Sequence, residues 1–270
     1  MNKKWRLILD SKHDGYYNMA VDEAVLLNYS AMKIPTLRIY GWNKPFISVG
    51  YNQKISAVIR TFAKIPFVRR ITGGGSIVHH NEVTYSLTCS LDDLSLPRGV
   101  KKSYEKICAF LIHFYAELNL TARFAKDILL KNDQNSNLSQ AFELGQYSNF
   151  CFLAYEYYDL IIKGKKIGGN AQRRKKDIIF QHGSIPQLID LNKVKNVINN
   201  KESVNNKFTF LDTLLGEKTD FKKLQVLLAK SFKEVFNVDL AQEDFHEDEK
   251  KTIEYLKKNK YQKQKWNLRI

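Results

Sequence analysis

Short stretches in which apolar and polar residues alternate predict β-strands up to about residue 185. Strands are predicted over residues 5–9, 36–40, 46–49, 67–70, 76–79, 83–90, 157–162, 166–167 and 178–185. The second and third flank a turn at residues 41–45, which suggests a hairpin-like element. The last three are expected to lie together in one sheet rich in hairpins.

A period near 3.6 residues predicts helices between and after these strands. They are expected over residues 18–28, 55–64, 103–118, 192–198, 221–236 and 247–258. The helix at 103–118 has the clearest apolar face, formed by Ile107, Phe110, Leu111 and Phe114. Strands therefore dominate the middle of the chain and helices its end.

The length of 270 residues fits one large α/β domain with a small appendage about as well as two domains. We favour one domain, because no linker rich in Pro, Gly and Ser divides the chain. The strand pattern stops near residues 215–218. We therefore expect a catalytic core at residues 1–216 and a helical extension at 217–270 that packs on it.

Two glycine-rich segments are the most informative chemical features of the chain. Gly73, Gly74 and Gly75 follow a basic pair, and Gly168 and Gly169 follow two lysines. Glycine lets the backbone adopt positive φ and approach a bound group closely, so these segments suggest ligand sites. The residues after the first segment have a strand-like pattern, whereas a P-loop or dinucleotide-binding loop opens a helix.

A thiol and an amine lie near the second segment in the sequence. Lys166 follows Cys151 by fifteen residues. A nearby ammonium group lowers the pKa of a cysteine and polarises a thioester carbonyl, so this pair is typical of acyl transfer. Taken alone, Cys151 is more often a small buried hydrophobe and Lys166 a solvated residue at a turn. Cys89 and Cys108 are expected to be structural.

Composition restricts the partners and the compartment. The formal net charge of +15 calls for an anionic partner or reflects a Lys-rich proteome, and an acidic protein fits better than nucleic acid because no nucleic-acid-binding motif is present. We expect a cytoplasmic protein without a membrane partner, because no apolar run approaches the roughly 18 residues that span a bilayer. The three cysteines have no CxxC pair, which argues against a disulfide framework and a zinc site.

Three segments together resemble the signatures of the lipoate-protein ligase and octanoyltransferase family. They are RRITGGGSIVH at residues 69–79, KKIGGNAQ at 165–172 and QHGSI at 181–185. A supporting match is NMAVDEA at residues 18–24. The resemblance implies a biotin/lipoate ligase-like α/β fold, with a mostly antiparallel sheet flanked by helices and a smaller second sheet.

The resemblance also implies the site. Lys166 would lie at the carbonyl of an acyl group held in a tunnel, and Cys151 would be the nucleophile. The implied substrate-binding residues are Arg70, Gly73, Gly74, Gly75, His79, Gly169 and Ala171. No metal and no cofactor would be needed for transfer.

Members of this family divide by chemistry. Octanoyltransferases take octanoate from octanoyl-acyl carrier protein through a cysteine thioester and pass it to a lipoyl-domain protein, such as the glycine cleavage H protein or a 2-oxoacid dehydrogenase E2. Ligases use ATP and Mg²⁺ to make a lipoyl-adenylate. Cys151 and the short C-terminal extension favour transfer, whereas Asn170 replaces the serine expected in most octanoyltransferases and also occurs in ligases. A non-catalytic protein that binds lipoyl groups or nucleic acid is a third possibility.

Overall fold

The computed structural model describes residues 3–55, 65–129, 156–189 and 207–269. The predicted helix at 192–198, all of the helix at 55–64 except Ile55, and Cys151 lie outside these ranges. The described strands are β1 (Lys4–His13), β2 (Thr36–Trp42), β3 (Phe46–Val49), β4 (Phe67–Arg69), β5 (Ile77–His79), β6 (Glu82–Ser90), β7 (Arg123–Phe124), β8 (Leu160–Ile162), β9 (Lys165–Lys166), β10 (Gly169–Lys175), β11 (Ile178–Pro186) and β12 (Asp239–Gln242).

The helices surround these strands. They are α1 (Gly15–Met32), α2 (Val100–Glu117), α3 (Ala125–Leu129), α4 (Leu211–Leu215), α5 (Phe221–Phe236), α6 (Glu247–Leu256) and α7 (Gln264–Asn267), with a 3₁₀ turn at Asp92–Leu94 and a π-helical turn at Lys257–Tyr261. The first helix begins where the Asp14 side chain accepts a hydrogen bond from the Tyr17 N–H, and Lys33, which follows its last residue, adopts a left-handed conformation.

The large sheet has six strands in the order β10-β11-β6-β2-β1-β12. Neighbours are antiparallel from β10 to β2, and β1 is parallel to both β2 and β12. Two smaller sheets, β4-β3-β5 and β7-β8-β9, lie beside it. This α/β architecture, with a larger sheet flanked by helices and smaller sheets beside it, confirms the predicted fold class.

Two hydrophobic clusters cover the two faces of the large sheet. Along β2, Leu37 and Ile39 belong to the cluster that includes α2 and α5, whereas Tyr40 belongs to the cluster with α1 and α6. Successive side chains of a strand point to opposite faces, so the large sheet is a layer between two pairs of helices. Helix α5 and strand β12 come from the predicted extension, and the boundary at residue 216 stays a prediction.

Two predicted strand groupings are wrong. Strands β2 and β3 do not form a hairpin, because β2 pairs with β1 and β6 while β3 pairs with β4 and β5 in another sheet. Strands β8 and β9 pair with each other and β8 with β7, not with β11. Alternation predicts a strand but carries no information on its partner, which depends on segments distant in the sequence.

Candidate functional site

The first glycine-rich segment lies between two strands of a small sheet. Strands β4 and β5 both pair with β3, and residues 70–76, the glycine loop, connect them. Gly74 has φ = +88°, a conformation that side chains with a Cβ rarely adopt. A Cβ added to Gly50 would lie 1.9 Å from the Gly74 oxygen, so the backbones of the two glycines pack directly against each other.

Arg70 holds the glycine loop from within. Its guanidinium group is buried and donates through Nη2 to the Gly73 and Gly75 carbonyls, at 2.6 and 2.8 Å. The same group donates through Nη1 to the Ser48 carbonyl at 3.0 Å, and through Nε to Thr72 Oγ1 at 3.1 Å. These contacts fix the directions in which the peptide groups of the loop point.

The loop also presents backbone donors. In the part of the chain that the structure describes, the N–H groups of Gly73 and Gly74 donate no hydrogen bond. Successive backbone N–H groups in a glycine-rich turn bind anions and developing oxyanions. The loop can therefore receive an oxygen atom that carries negative charge.

His79 is held rigidly beside this loop. Its Nδ1 lies 2.8 Å from Glu82 Oε1, and its Nε2 lies 2.7 Å from Ser48 Oγ. The imidazole stacks on Trp42 with ring centroids 3.8 Å apart and planes within 8°. The Glu82 carboxylate also accepts a hydrogen bond from Thr84. His79 therefore supports the wall of the site in one fixed orientation.

A second buried network contacts Thr72 at the start of the glycine loop. His182 Nε2 lies 2.7 Å from Thr72 Oγ1, and His182 Nδ1 lies 3.4 Å from Asp22 Oδ2. Arg38 donates to the other oxygen of Asp22 at 2.9 Å. This residue set was not predicted, although Asp22 and His182 both lie in the segments that carry the family resemblance.

The charges in this network follow from burial and pairing. Burial lowers the pKa of His182. Burial would raise the pKa of Asp22, but the hydrogen bond from His182 and the charge of Arg38 outweigh it, so the pKa of this carboxyl is lowered. At neutral pH His182 is therefore a neutral imidazole that donates Nδ1–H to the carboxylate and accepts at Nε2 from the Thr72 hydroxyl.

A narrow pocket lies between these groups. Arg70, His79, Gly169 and Ala171 line it, so four of the predicted substrate-binding residues meet at one cavity. Its apolar lining comes from Met19, Tyr40, Trp42 and Ile77, and His182 lies in its wall. Gly73, Gly74 and Gly75 are not part of this wall and are joined to it through Arg70.

The second glycine-rich segment forms the edge of the pocket. Gly168 has φ = +73°, and a Cβ there would lie 2.1 Å from the Ser184 carbonyl oxygen. Asn170 accepts a hydrogen bond from the Tyr85 hydroxyl at 2.9 Å, and its Oδ1 fills the space where a Cβ of Gly183 would be. In this chain the Asn170 side chain thus joins β10, β11 and β6.

Lys166 is almost completely buried on strand β9. Its Nζ lies 2.6 Å from Asp159 Oδ2, which also accepts the Glu156 N–H at 2.7 Å. The Lys166 carbonyl accepts the Thr209 N–H at 2.9 Å. A buried ammonium that is held by a carboxylate in this way keeps one position, two residues before Gly168. Lys166 is not part of the pocket wall.

Two of the three cysteines lie among the described residues. Cys89 and Cys108 are buried in the core, and burial raises the pKa of the Cys108 thiol to about 12. Such thiols are unreactive at neutral pH. Cys151, the predicted nucleophile, lies outside the described residues, so its distance from Lys166 stays untested.

Neither metal sites nor membrane spans are found where the structure describes the chain. Over residues 3–55, 65–129, 156–189 and 207–269, no three His, Cys, Asp or Glu side chains are grouped as metal ligands. In the same ranges, every helix is too short or too polar to cross a lipid bilayer.

The sequence of this chain matches one family of known proteins. The profile of the lipoyl protein ligase A/B catalytic domain matches residues 14–233. The chain is 32% identical to octanoyltransferase LipM of Halalkalibacterium halodurans, over 98% of this chain and 99% of that protein. It is 30% identical to octanoyltransferase LipM of Bacillus subtilis, over 98% of both chains.

Solved structures share the fold at lower sequence identity. Lipoate-protein ligase A bound with ATP superposes with a TM-score of 0.75 at 20% identity, covering 98% of both chains. A bipartite lipoate protein ligase of Thermoplasma acidophilum, described with its E2 lipoyl domain, superposes with a TM-score of 0.75 at 19% identity, covering 98% of this chain and 96% of that one. From its sequence match over most of its length, this chain belongs to the family of lipoyl protein ligase A/B catalytic domains.

Proposed function

We propose that this protein is an octanoyltransferase of lipoate biosynthesis, which moves octanoyl from acyl carrier protein to a lysine of a lipoyl-domain protein through a thioester on Cys151. The observation that carries this proposal is the similarity over nearly the full length of both chains to relatives named octanoyltransferase. The buried amine of Lys166, three residues before Gly169 of the pocket wall, and the apolar lining of that pocket support it, because acyl transfer needs a group that polarises the carbonyl and a place for the acyl chain.

The reaction would proceed in two steps. The Cys151 thiolate attacks the thioester carbonyl of the donor, a new carbon–sulfur bond forms, and the carrier's thiolate leaves and takes a proton. The ε-amine of the target lysine then attacks the thioester on Cys151. An amide bond forms, the carbon–sulfur bond to Cys151 breaks, and the Cys151 thiolate takes the proton that the amine loses.

The described residues support distinct parts of this reaction. The ammonium of Lys166, held in position by Asp159, would polarise the acyl carbonyl. The N–H groups of Gly73 and Gly74 are further candidates to stabilise the developing negative charge. Apolar contacts with Trp42 and its neighbours in the pocket would hold the hydrocarbon chain.

The route requires no metal, nucleotide or other cofactor, since the donor already carries an activated acyl group. The proposed acceptors are lipoyl-domain proteins, such as the glycine cleavage H protein or a 2-oxoacid dehydrogenase E2. The E2 lipoyl domain described with the structurally similar archaeal ligase supports an acceptor of this class. The alternative is a lipoate ligase that uses ATP and Mg²⁺ on the same fold.

Intact-mass measurement separates the two reactions. The protein is incubated with octanoyl-acyl carrier protein in the absence of ATP, and the wild type is compared with Cys151→Ala and Cys108→Ala. We expect an octanoyl adduct that hydroxylamine removes in the wild type and in Cys108→Ala, because the buried Cys108 thiol has a pKa of about 12. Cys151→Ala should carry none.

Two results would contradict the proposal. An adduct that persists in Cys151→Ala would assign the nucleophile to another residue. No adduct in any variant, together with ATP-dependent attachment of free lipoate to a lipoyl domain, would identify the protein as a ligase.

A further inference from the structure

Arg69 and Arg70 are neighbours on the chain but bind different parts of the molecule. Arg70 holds the glycine loop from within, whereas the Arg69 guanidinium points to the turn at residues 50–53. Arg69 Nη1 donates to three carbonyls of this turn, those of Gly50 at 2.7 Å, Tyr51 at 3.1 Å and Gln53 at 2.9 Å. Arg69 is completely buried, and it thereby fixes the shape of the turn.

The C-terminal segment completes the surroundings of Arg69. We call residues 264–269 the C-terminal clasp. Arg69 Nη2 donates to the carbonyls of Asn267 at 3.2 Å and Arg269 at 2.8 Å. The clasp also binds the backbone of Arg69, since Asn267 Oδ1 accepts its N–H and Trp266 Nε1 donates to its carbonyl, both at 2.8 Å. The clasp thus occupies the outer edge of strand β4.

The turn at 50–53 is also hydrogen-bonded to the glycine loop. The Tyr51 N–H donates to the Thr72 carbonyl at 2.8 Å. The Ser76 hydroxyl donates to Gln53 Oε1 at 2.8 Å. These two hydrogen bonds hold both ends of the glycine loop, so a shift of the turn moves the loop.

The positive charge of Arg69 is stabilised by backbone carbonyls. Within the described ranges Arg69 forms no ion pair, and its acceptors are backbone carbonyls on the turn and the clasp. A buried guanidinium that loses acceptors leaves donors unsatisfied, which is costly. Loss of the clasp would therefore force the side chain, and the turn with it, into a new position.

We propose that Arg69 is a positioning residue through which the C-terminal clasp keeps the glycine loop in the shape that receives the acyl group. The identity of the acyl group rests on the proposed function. The coupling between the clasp and the loop does not depend on that function. The clasp is thus part of the site, although it is about 200 residues away in the sequence.

Hydrogen exchange of the substrate-free protein tests the coupling directly. The variant Trp266→Phe removes one hydrogen bond to Arg69 and keeps an aromatic ring, and Asn267→Ala removes another. Leu268→Ala is the matched control, because Leu268 is an exposed residue of the same segment. We expect amide exchange in residues 70–76 to accelerate roughly fivefold in the first two variants, the factor that one average hydrogen bond represents, and to stay unchanged in the control.

Kinetics supply the functional readout. With octanoyl-acyl carrier protein, Trp266→Phe should lower kcat several-fold with a smaller change in KM, because the loop is proposed to stabilise the charge that develops in the transition state, while Cys151 and Lys166 are unaltered. Unchanged exchange at residues 70–76 in both clasp variants would overturn the inference. A wild type that transfers no octanoyl group would contradict the proposed function, and the exchange measurement would still decide whether the clasp positions the loop.

Discussion

At the scale of single residues, the site depends on which buried groups carry a charge. His182 and Asp22 are in contact, yet the imidazole is neutral and the carboxyl is ionised at neutral pH, because burial lowers the pKa of His182 while Arg38 and the hydrogen bond from His182 lower that of Asp22. The resulting direction of the hydrogen bonds lets Thr72 donate to His182 and accept from Arg70. One protonation state thus orders the start of the glycine loop.

This arrangement predicts a pH dependence of stability. Because burial holds the pKa of His182 in the folded protein below the ordinary histidine value of 6.5, the unfolded chain takes up a proton near that pH and the folded protein does not. The contribution of His182 to the free energy of unfolding is therefore fully present above about pH 6.5, and it is lost as the pH drops towards the pKa of His182 in the folded protein. Asp22, whose pKa is also lowered, adds a further loss of stability below the ordinary aspartate value of 3.8.

The variant His182→Gln isolates the histidine contribution, since the amide keeps a donor and an acceptor but does not titrate. We expect the melting temperature of the wild type to fall more than that of the variant between about pH 7.5 and about pH 5.5. Parallel curves for the two proteins would show that His182 does not control this part of the profile.

At the scale of elements, local patterns predicted strand and helix positions well. The predicted bounds 46–49 and 221–236 coincide with β3 and α5. Strands β10 and β12 were missed because they are the two edges of the large sheet and nearly all of their residues are half-buried or exposed, so their sequences lack the apolar alternation of inner strands. The sheet to which each strand belongs could not be read from alternation at all.

The glycine loop and the turn at 50–53 pack backbone against backbone, which predicts unequal effects of alanine at two nearby glycines. A Cβ at Gly50 would lie 1.9 Å from the Gly74 oxygen, whereas a Cβ at Gly73 would meet nothing within 4 Å. We expect Gly50→Ala to lower the free energy of unfolding by roughly 1–3 kcal/mol, and Gly73→Ala to change it by no more than about 0.5 kcal/mol. Urea titration of both variants measures the difference, and equal losses would contradict the close packing.

At the scale of the whole molecule, the excess of positive charge would attract an acidic partner. The formal net charge is +15, and several acidic residues are already paired inside the fold, among them Asp10, Asp22, Glu249 and Asp159. An acidic carrier protein would be attracted over distances comparable with the Debye length.

We therefore expect kcat/KM for octanoyl-acyl carrier protein to fall by roughly tenfold as ionic strength rises from about 0.05 M to about 0.5 M. A small uncharged octanoyl thioester is the control, because its capture does not depend on long-range attraction. The same salt dependence for both donors would point to an effect on the enzyme itself rather than on encounter.

The sequence alone determined the local features of this protein: the glycine loop between two strands, the residue types of the site and most helices and strands. These follow from patterns over a few neighbouring residues. Only the tertiary structure decided how the loop is held, because the contacts between Thr72 and His182, 110 residues apart, and between Arg69 and Asn267, 198 residues apart, depend on packing. Hydrogen-bond partners so distant along the chain are brought together when apolar residues are buried in two separate hydrophobic clusters. No short sequence pattern encodes this packing.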